Sequence, residues 1–172
     1  MSIVRVKLDL ERLESRDCPS SVSLTSRVTS DLSHLTADLN KAASDFLAKA
    51  PVATEFRDTL AVLSDTTNLA LDVRAATHAS LASTLMPLLR LELDEATLYY
   101  DFATGNTAGA KAAAAKELTD LQQVGNSLTG TANPGLAAAA FSQAYTAFND
   151  ANNTLFGIGE GGGSSGGKGP IG

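Results

Sequence analysis

The chain has 172 residues, a formal net charge of −6 and an apolar fraction of 44%, most of it alanine and leucine. This acidic balance argues against a nucleic-acid partner, because phosphate binding needs clustered Lys and Arg. Alanine and leucine are strong helix formers, and no apolar run approaches the roughly 18 residues of a membrane-spanning helix. The sequence therefore predicts a helical domain without a transmembrane segment.

Composition divides the chain into three parts. Residues 1–21 carry many charges of both signs, residues 22–156 show helical periodicity, and residues 157–172 are rich in glycine. A glycine-rich segment cannot bury enough apolar surface to offset its ordering entropy, so we expect a flexible tail. The one cysteine, Cys18, excludes an intramolecular disulfide.

The first periodic segment begins near Val22 and has apolar residues at alternating steps of four and three, as an amphipathic helix does. This stripe consists of Val28, Leu32, Leu35, Leu39, Ala42 and Phe46. Pro51 then ends this helix or begins the next one, since proline is favoured at the first position of a helix. The second segment has a less apolar stripe, made of Val52, Phe56, Leu63, Ala70 and Val73.

The end of the second segment is marked by no glycine. We expect it near His78, with Ser80 or Ser83 capping the next helix. The alternative is one long helix over 52–103 that is kinked at Pro87.

The third segment, about 84–103, is apolar on two sides. One stripe consists of Leu89, Leu93, Ala96, Tyr100 and Ala103, and the other of Leu88, Leu91, Leu98 and Phe102. A helix that is apolar nearly all round either lies centrally in its bundle or contacts something else. The second of these interpretations makes Leu88, Leu91, Leu98 and Phe102 a surface for a protein partner or for self-association.

Two further segments complete the domain. The fourth, about 107–128, carries Ala114, Leu118, Leu121 and Leu128, with Gly125 as a weak point. After a loop at 129–135, the fifth carries Ala137, Phe141, Ala144, Phe148, Ala151 and Leu155. Such stripes and short connections predict an all-α, up-and-down antiparallel bundle of four or five helices.

The N-terminal segment contains a recognisable motif in the run LDLERLESRDCPS at 8–20. It resembles a leader pattern, Leu-x-Leu-Glu-x-Leu-Glu-x-Arg-x-x-Pro-Ser, at the start of many exported or surface proteins of planctomycete bacteria. The matching residues are Leu8, Leu10, Glu11, Leu13, Glu14, Arg16, Pro19 and Ser20. The resemblance implies export or the cell envelope, and no activity. Without it the same residues are an exposed amphipathic turn of a cytoplasmic protein.

Candidate ligands and catalytic groups are few. His34 lies four residues before Asp38, a spacing that allows metal binding but fits a solvated surface histidine better. His78 is expected at a helix end, and the acidic cluster of Glu92, Asp94 and Glu95 on the polar face of its helix. Bundle di-iron sites use Glu-x-x-His pairs, and the sequence has none. We therefore expect no catalytic residue, no cofactor and no metal.

Two functions are compatible with the sequence. The first is a non-enzymatic interaction or structural protein of the cell envelope, whose partner the sequence does not identify. The second is a bundle that binds a small ligand or a metal in its interior, as an enzyme or otherwise, through the acidic residues around Glu92 and Glu95.

Overall fold

The computed structural model describes residues 21–157, which form five helices and, within that range, no strand. The helices are α1 (Ser21–Leu47), α2 (Val52–Thr77), α3 (Leu81–Ala103), α4 (Thr107–Ser127) and α5 (Leu136–Leu155). The predicted all-α bundle is confirmed, with five helices. None of the five is long and apolar enough to cross a membrane. The leader motif at 8–20 and the tail from 158 onwards lie outside the described residues.

Aromatic side chains at one end of the bundle fix the direction of the helices. Phe46, in the last turn of α1, stacks on Tyr99 of α3 at a centroid distance of 4.8 Å. Phe102, also in α3, packs edge-on against Phe46 and against Phe156, which follows α5. The C-terminal ends of α1, α3 and α5 therefore meet, and the chain runs up and down through the bundle.

The helices do not pack equally on one another. α1 packs mainly on α2, α3 packs mainly on α4, and α5 joins the two pairs through α1 and α4. The core between them is built from side chains such as Leu35, Leu69, Leu91, Leu121 and Phe148. α2 and α3 follow each other in the chain but touch only over a short stretch. The bundle is therefore open between these two helices.

The chain breaks between α2 and α3 at residues 78–80, so the alternative of one helix kinked at Pro87 is wrong. His78 has a left-handed backbone, with φ of 58°, and closes α2. Ser80 occupies the N-cap position of α3, although its side chain makes no capping bond. α3 continues through Pro87, which removes one intrahelical hydrogen bond near the start of the helix.

The loop that connects α4 to α5 closes the C-terminal end of α2. The Ala132 amide donates a hydrogen bond to the Thr77 carbonyl at 3.0 Å, and the Asn133 side chain donates to the Ala76 carbonyl at 2.9 Å. These bonds satisfy carbonyls that a helix end leaves without partners. A Cβ atom at Gly130 would lie 1.9 Å from the Thr77 oxygen, so this close approach requires glycine.

Most of the predicted stripes are buried. Those of α1 and α5 face the core, as do Ala114, Leu121 and Leu128 of the α4 segment. The prediction for α2 is wrong in its first half, where Val52 is 79% exposed and Phe56 is 64% exposed. The face that α2 buries there holds Asp58 and Val62 instead, because the first half of α2 borders the opening towards α3.

Candidate binding groove between α2 and α3

An apolar groove runs along the opening between α2 and α3, beside the aromatic end of the bundle. Its volume is about 330 Å³. Eleven residues line it: Phe46, Val52, Glu55, Phe56, Thr59, Leu60, Leu63, Ala96, Tyr99, Tyr100 and Ala103. The groove follows from the helix packing. Its walls, α2 and α3, pack mainly on α1 and on α4, respectively, and only weakly on each other.

The two adjacent tyrosines of α3 have different roles in this groove. Tyr99 is buried and stacks on Phe46, so that it forms part of the floor. Tyr100 lies on the rim and is 69% exposed. Successive residues on a helix point about 100° apart, which lets neighbours of the same type serve as floor and rim.

Apolar exposure extends along α3 beyond the groove itself. Leu93 is 66% exposed, and Leu85 and Leu89 are exposed in the turns before it. Together with Ala96 and Tyr100 these side chains repeat at steps of four and three, so they form one outward stripe. The stripe predicted from Leu89 to Ala103 is thus real, and it faces outwards.

The predicted interaction surface on α3 is wrong in its location. Leu88, Leu91 and Leu98 are buried in the core, and Phe102 is half-buried against the same core. Both stripes of α3 are apolar. The stripe with Leu91 and Leu98, which was predicted to be the interaction surface, faces the core. The exposed apolar face of this helix is its other stripe.

The helices that form the groove are acidic. Acidic side chains outnumber basic ones by eight to three over α2 and α3, and by five to three when the buried Glu95 and the ion-paired Asp58 and Asp72 are set aside. Glu55 is the ionisable carboxylate among the lining residues, and the rest of the lining is apolar or carries a hydroxyl. A ligand of this groove therefore meets apolar walls within an acidic surrounding.

A pair of buried carboxylic acids lies behind the groove floor. Glu95 of α3 is completely buried, and neither of its carboxylate oxygens has a hydrogen-bond partner. Glu117 of α4 is also buried and accepts a hydrogen bond from the Asn152 side chain at 2.9 Å. Burial raises the pKa of Glu95 well above its ordinary value, and the nearby Glu117 raises it further.

These buried acids affect the floor tyrosine. The pKa of Tyr99 is raised, first by burial and then by the charges of Glu95, Glu117 and Asp58. Tyr99 therefore stays neutral.

The sequence predicted that the acidic cluster of α3 lies on one polar face of the helix, and this prediction is wrong. Glu92 is half-buried and accepts a hydrogen bond from the Thr67 hydroxyl at 2.6 Å, which links α2 to α3. Asp94 is half-buried on the side of α4, where burial and then Asp120 raise its pKa. Glu95 points into the core. The sequence had also missed Glu117, the partner of Glu95.

The two histidines are surface residues. His34 is exposed on α1, and His78 is exposed at the end of α2, where the sequence had placed it. Over residues 21–157, no group of three or more His, Cys, Asp or Glu side chains has a geometry that could hold a metal ion. The chain matches no protein-family model, no curated protein and no solved structure.

Proposed function

We propose that the chain is a non-enzymatic, exported or cell-envelope protein that binds an amphipathic helix of a partner protein in the groove between α2 and α3. The observation that carries this proposal is the exposed apolar lining of the groove. Phe56 and Tyr100 stand on opposite walls and are both mostly exposed. Exposed apolar patches bordered by polar residues are typical of interaction sites.

The shape of the groove supports a helix as the ligand. Two roughly antiparallel helices with a gap between them provide the type of groove into which an amphipathic helix places its apolar face. Such a helix presents anchors at steps of three and four, and the walls offer apolar residues at the same steps, as in Phe56, Leu60 and Leu63.

Charge indicates which helix the groove binds. The acidic excess on α2 and α3 attracts a helix whose polar face is basic, since complementary charges speed association and select partners. A second copy of this chain carries the same net charge of −6 and is repelled over the same surface. The proposal therefore assigns the groove to a different protein with a basic amphipathic helix.

Export is supported by the leader motif alone. Leu8, Leu10, Glu11, Leu13, Glu14, Arg16, Pro19 and Ser20 match a leader of planctomycete surface proteins, as described above. Cell fractionation of the native protein, with mass spectrometry of its mature N-terminus, tests this part. We expect the protein outside the cytoplasm, and a cytoplasmic protein that retains Met1 contradicts export without affecting the groove.

A synthetic peptide tests the groove. The probe is a peptide of about 20 residues, long enough for a stable amphipathic helix, with leucines on one face and lysines on its flanks. A second peptide carries glutamates in place of the lysines. Titration into the full chain, followed by amide chemical shifts, is expected to move resonances of the groove residues. We expect a roughly micromolar dissociation constant for the first peptide and binding at least about tenfold weaker for the second.

Substitutions in the protein provide the matched comparison. Phe56→Glu places a charge in the groove and is expected to weaken binding at least about tenfold. Met86→Glu makes the same change at an exposed apolar residue that does not line the groove, and binding should persist. The proposal fails if groove resonances do not move, or if both variants bind equally well.

Other occupants of the groove are distinguishable in the same samples. Sedimentation that shows a dimer dispersed by Phe56→Glu would assign the groove to a second copy of the chain. A small apolar molecule that co-purifies with the wild type and is absent from Phe56→Glu would assign it to that ligand. Either result overturns the proposal of a partner helix.

A further inference from the structure

A second pocket lies where α4 packs against α5, and it shares no residue with the groove between α2 and α3. Its volume is about 290 Å³. Ligand pockets in proteins span roughly 300–1,000 Å³, so the space suits a small molecule. We call this space the α4–α5 pocket. Its lining consists of Gln122, Gly125, Asn126, Ala138, Phe141, Ser142 and Tyr145.

The base of the α4–α5 pocket depends on Gly125. This residue lies between Gln122 and Asn126 on one face of α4 and carries no side chain that could fill the space between them. A Cβ atom there would lie 2.8 Å from Cβ of Phe141, so the two helices approach closely at this point. Gly125 and Phe141 are both buried, and they close the pocket from below.

Four polar side chains form the rim of the α4–α5 pocket. Gln122 and Asn126 lie four residues apart on α4, and Ser142 and Tyr145 lie three residues apart on α5, so each pair shares one face of its helix. Tyr145 is half-buried and packs against the core, whereas the other three are exposed. The rim therefore combines one anchored aromatic ring with amides and hydroxyls from both helices.

The polar groups of this rim are not used inside the protein. Within residues 21–157, the side chains of these four residues make no hydrogen bond. The amides of Asn133 and Asn152 differ, since each donates to another part of the bundle. An amide offers donors and an accepting oxygen, and a hydroxyl both donates and accepts. The pocket thus presents both kinds of hydrogen-bonding group to a ligand.

The lining is also free of charge, although the chain has a formal net charge of −6. It contains no Asp, Glu, Lys, Arg or His, so an ionic ligand would find no opposite charge there. A purely apolar ligand would cover the rim amides without bonding them, which costs free energy. The ligand that fits is neutral, has several hydroxyl groups and has an apolar face for the tyrosine ring.

We infer that the α4–α5 pocket binds a neutral monosaccharide unit. The amides of Gln122 and Asn126 hydrogen-bond sugar hydroxyls from one side, and the hydroxyls of Ser142 and Tyr145 bond them from the other. The apolar C–H face of the sugar ring packs on the ring of Tyr145. This site is independent of the proposed function of the groove, because the two share neither residues nor ligand chemistry.

Titration of the full chain with glucose, galactose and N-acetylglucosamine tests the site. We expect at least one of these sugars to shift the amide resonances of pocket residues in a saturable way, with a dissociation constant of about 1–10 mM. Glycerol has hydroxyl groups but no ring, so it should not saturate the pocket over the same range. N-Acetylglycinamide, a neutral peptide mimic, should bind more weakly than the sugar.

Two adjacent glutamines provide a matched pair of variants. Gln122→Met removes the rim amide at similar side-chain length and should weaken sugar binding at least about fivefold. Gln123→Met makes the same change at an exposed residue outside the lining, and binding should persist. Both positions are exposed, so circular dichroism should show unchanged helicity in both variants.

Three results would overturn the inference. The first is the absence of a saturable shift with all three sugars. The second is equal sugar affinity in Gln122→Met and Gln123→Met. The third is binding of glycerol or N-acetylglycinamide as tightly as the sugar, which would assign the pocket to any small polar molecule or to a peptide.

Discussion

Gly125 lies at a close approach of α4 and α5. A Cβ atom at this position would lie 2.8 Å from Cβ of Phe141 and 3.1 Å from its Cγ. Phe141 is buried and its ring cannot move aside freely. The absence of a side chain at Gly125 is therefore what allows this pair of helices to close.

Replacing Gly125 by alanine tests how much the close packing of α4 on α5 contributes to stability. Alanine gains about 1 kcal/mol of helix propensity, but overpacking costs about 1–3 kcal/mol. Because a separation of 2.8 Å forces a neighbouring atom to move, we take an overpacking cost of about 2–3 kcal/mol and expect Gly125→Ala to lower the free energy of unfolding by about 1–2 kcal/mol, measured by urea denaturation. Gly135→Ala enters empty space and should change it by less than about 0.5 kcal/mol. A Gly125→Ala protein as stable as the wild type would show that α4 and α5 can separate without cost.

The sequence indicated the apolar positions of α4 but not the meaning of its glycine. Periodicity identified Leu121 and Leu128 as core residues, and the structure buries both. Gly125 interrupts the apolar stripe, so the sequence predicts a weak point there. The pattern of one segment does not show that Phe141 of another helix lies next to this position. Close approaches of this kind depend on the neighbouring helix, which one segment does not reveal.

At the scale of the helix, a leucine-to-glutamate substitution should have different effects on stability on the two faces of α3. Leu91 is 0% exposed, whereas Leu93, two residues further along, is 66% exposed. Leu91→Glu buries a charge in the core and should cost more than about 3 kcal/mol, enough to unfold much of the protein. Leu93→Glu should change stability by less than about 0.5 kcal/mol. Circular dichroism with urea denaturation checks both, and equal effects would contradict the orientation of α3.

This orientation could not be read from the segment itself. Both stripes of α3 are apolar, so periodicity predicted a helix and its two faces but not which of them α4 covers. One available signal was missed. Glu95 lies four residues after Leu91 and three before Leu98, on the same stripe, so burial of this stripe also implied a buried acid. Glu117 likewise shares a stripe with Leu121, which lies four residues after it.

At the scale of the whole molecule, several carboxylic acids hold protons more tightly in the folded chain than in the unfolded one. Burial, with Asp72 next, raises the pKa of Asp31 to about 6. Burial raises the pKa of Glu117 to about 8, against the lowering effect of the Asn152 hydrogen bond. Raised values mean that their contribution to stability is complete below about pH 4 and is lost as pH rises through 6 and 8.

The bundle should therefore become less stable on alkalinisation. We expect the free energy of unfolding to fall by about 2–4 kcal/mol between pH 5 and pH 9, measured by urea denaturation. Glu95→Met removes one buried acid, so this variant should lose less stability over the same range. Asp150→Met, on an exposed carboxylate of α5, should retain the wild-type loss. Stability that stays level or rises towards pH 9 would show that the buried acids are already compensated.

Because the bundle has an odd number of helices, the first helix begins at one end of the bundle and the last helix ends at the other. Ser21 opens α1 at one end of the bundle, whereas Gly157 follows α5 at the other, about 30 Å away along a helix of 20 residues. The groove lies at the end where Gly157 emerges, since Phe46 and Phe156 meet there through Phe102. A tether on the N-terminal side would hold the groove at the far tip of the rod, whereas a tether on the glycine side would hold it against the anchoring surface. For a protein held at a surface, the point of attachment would thus set how far the groove lies from that surface.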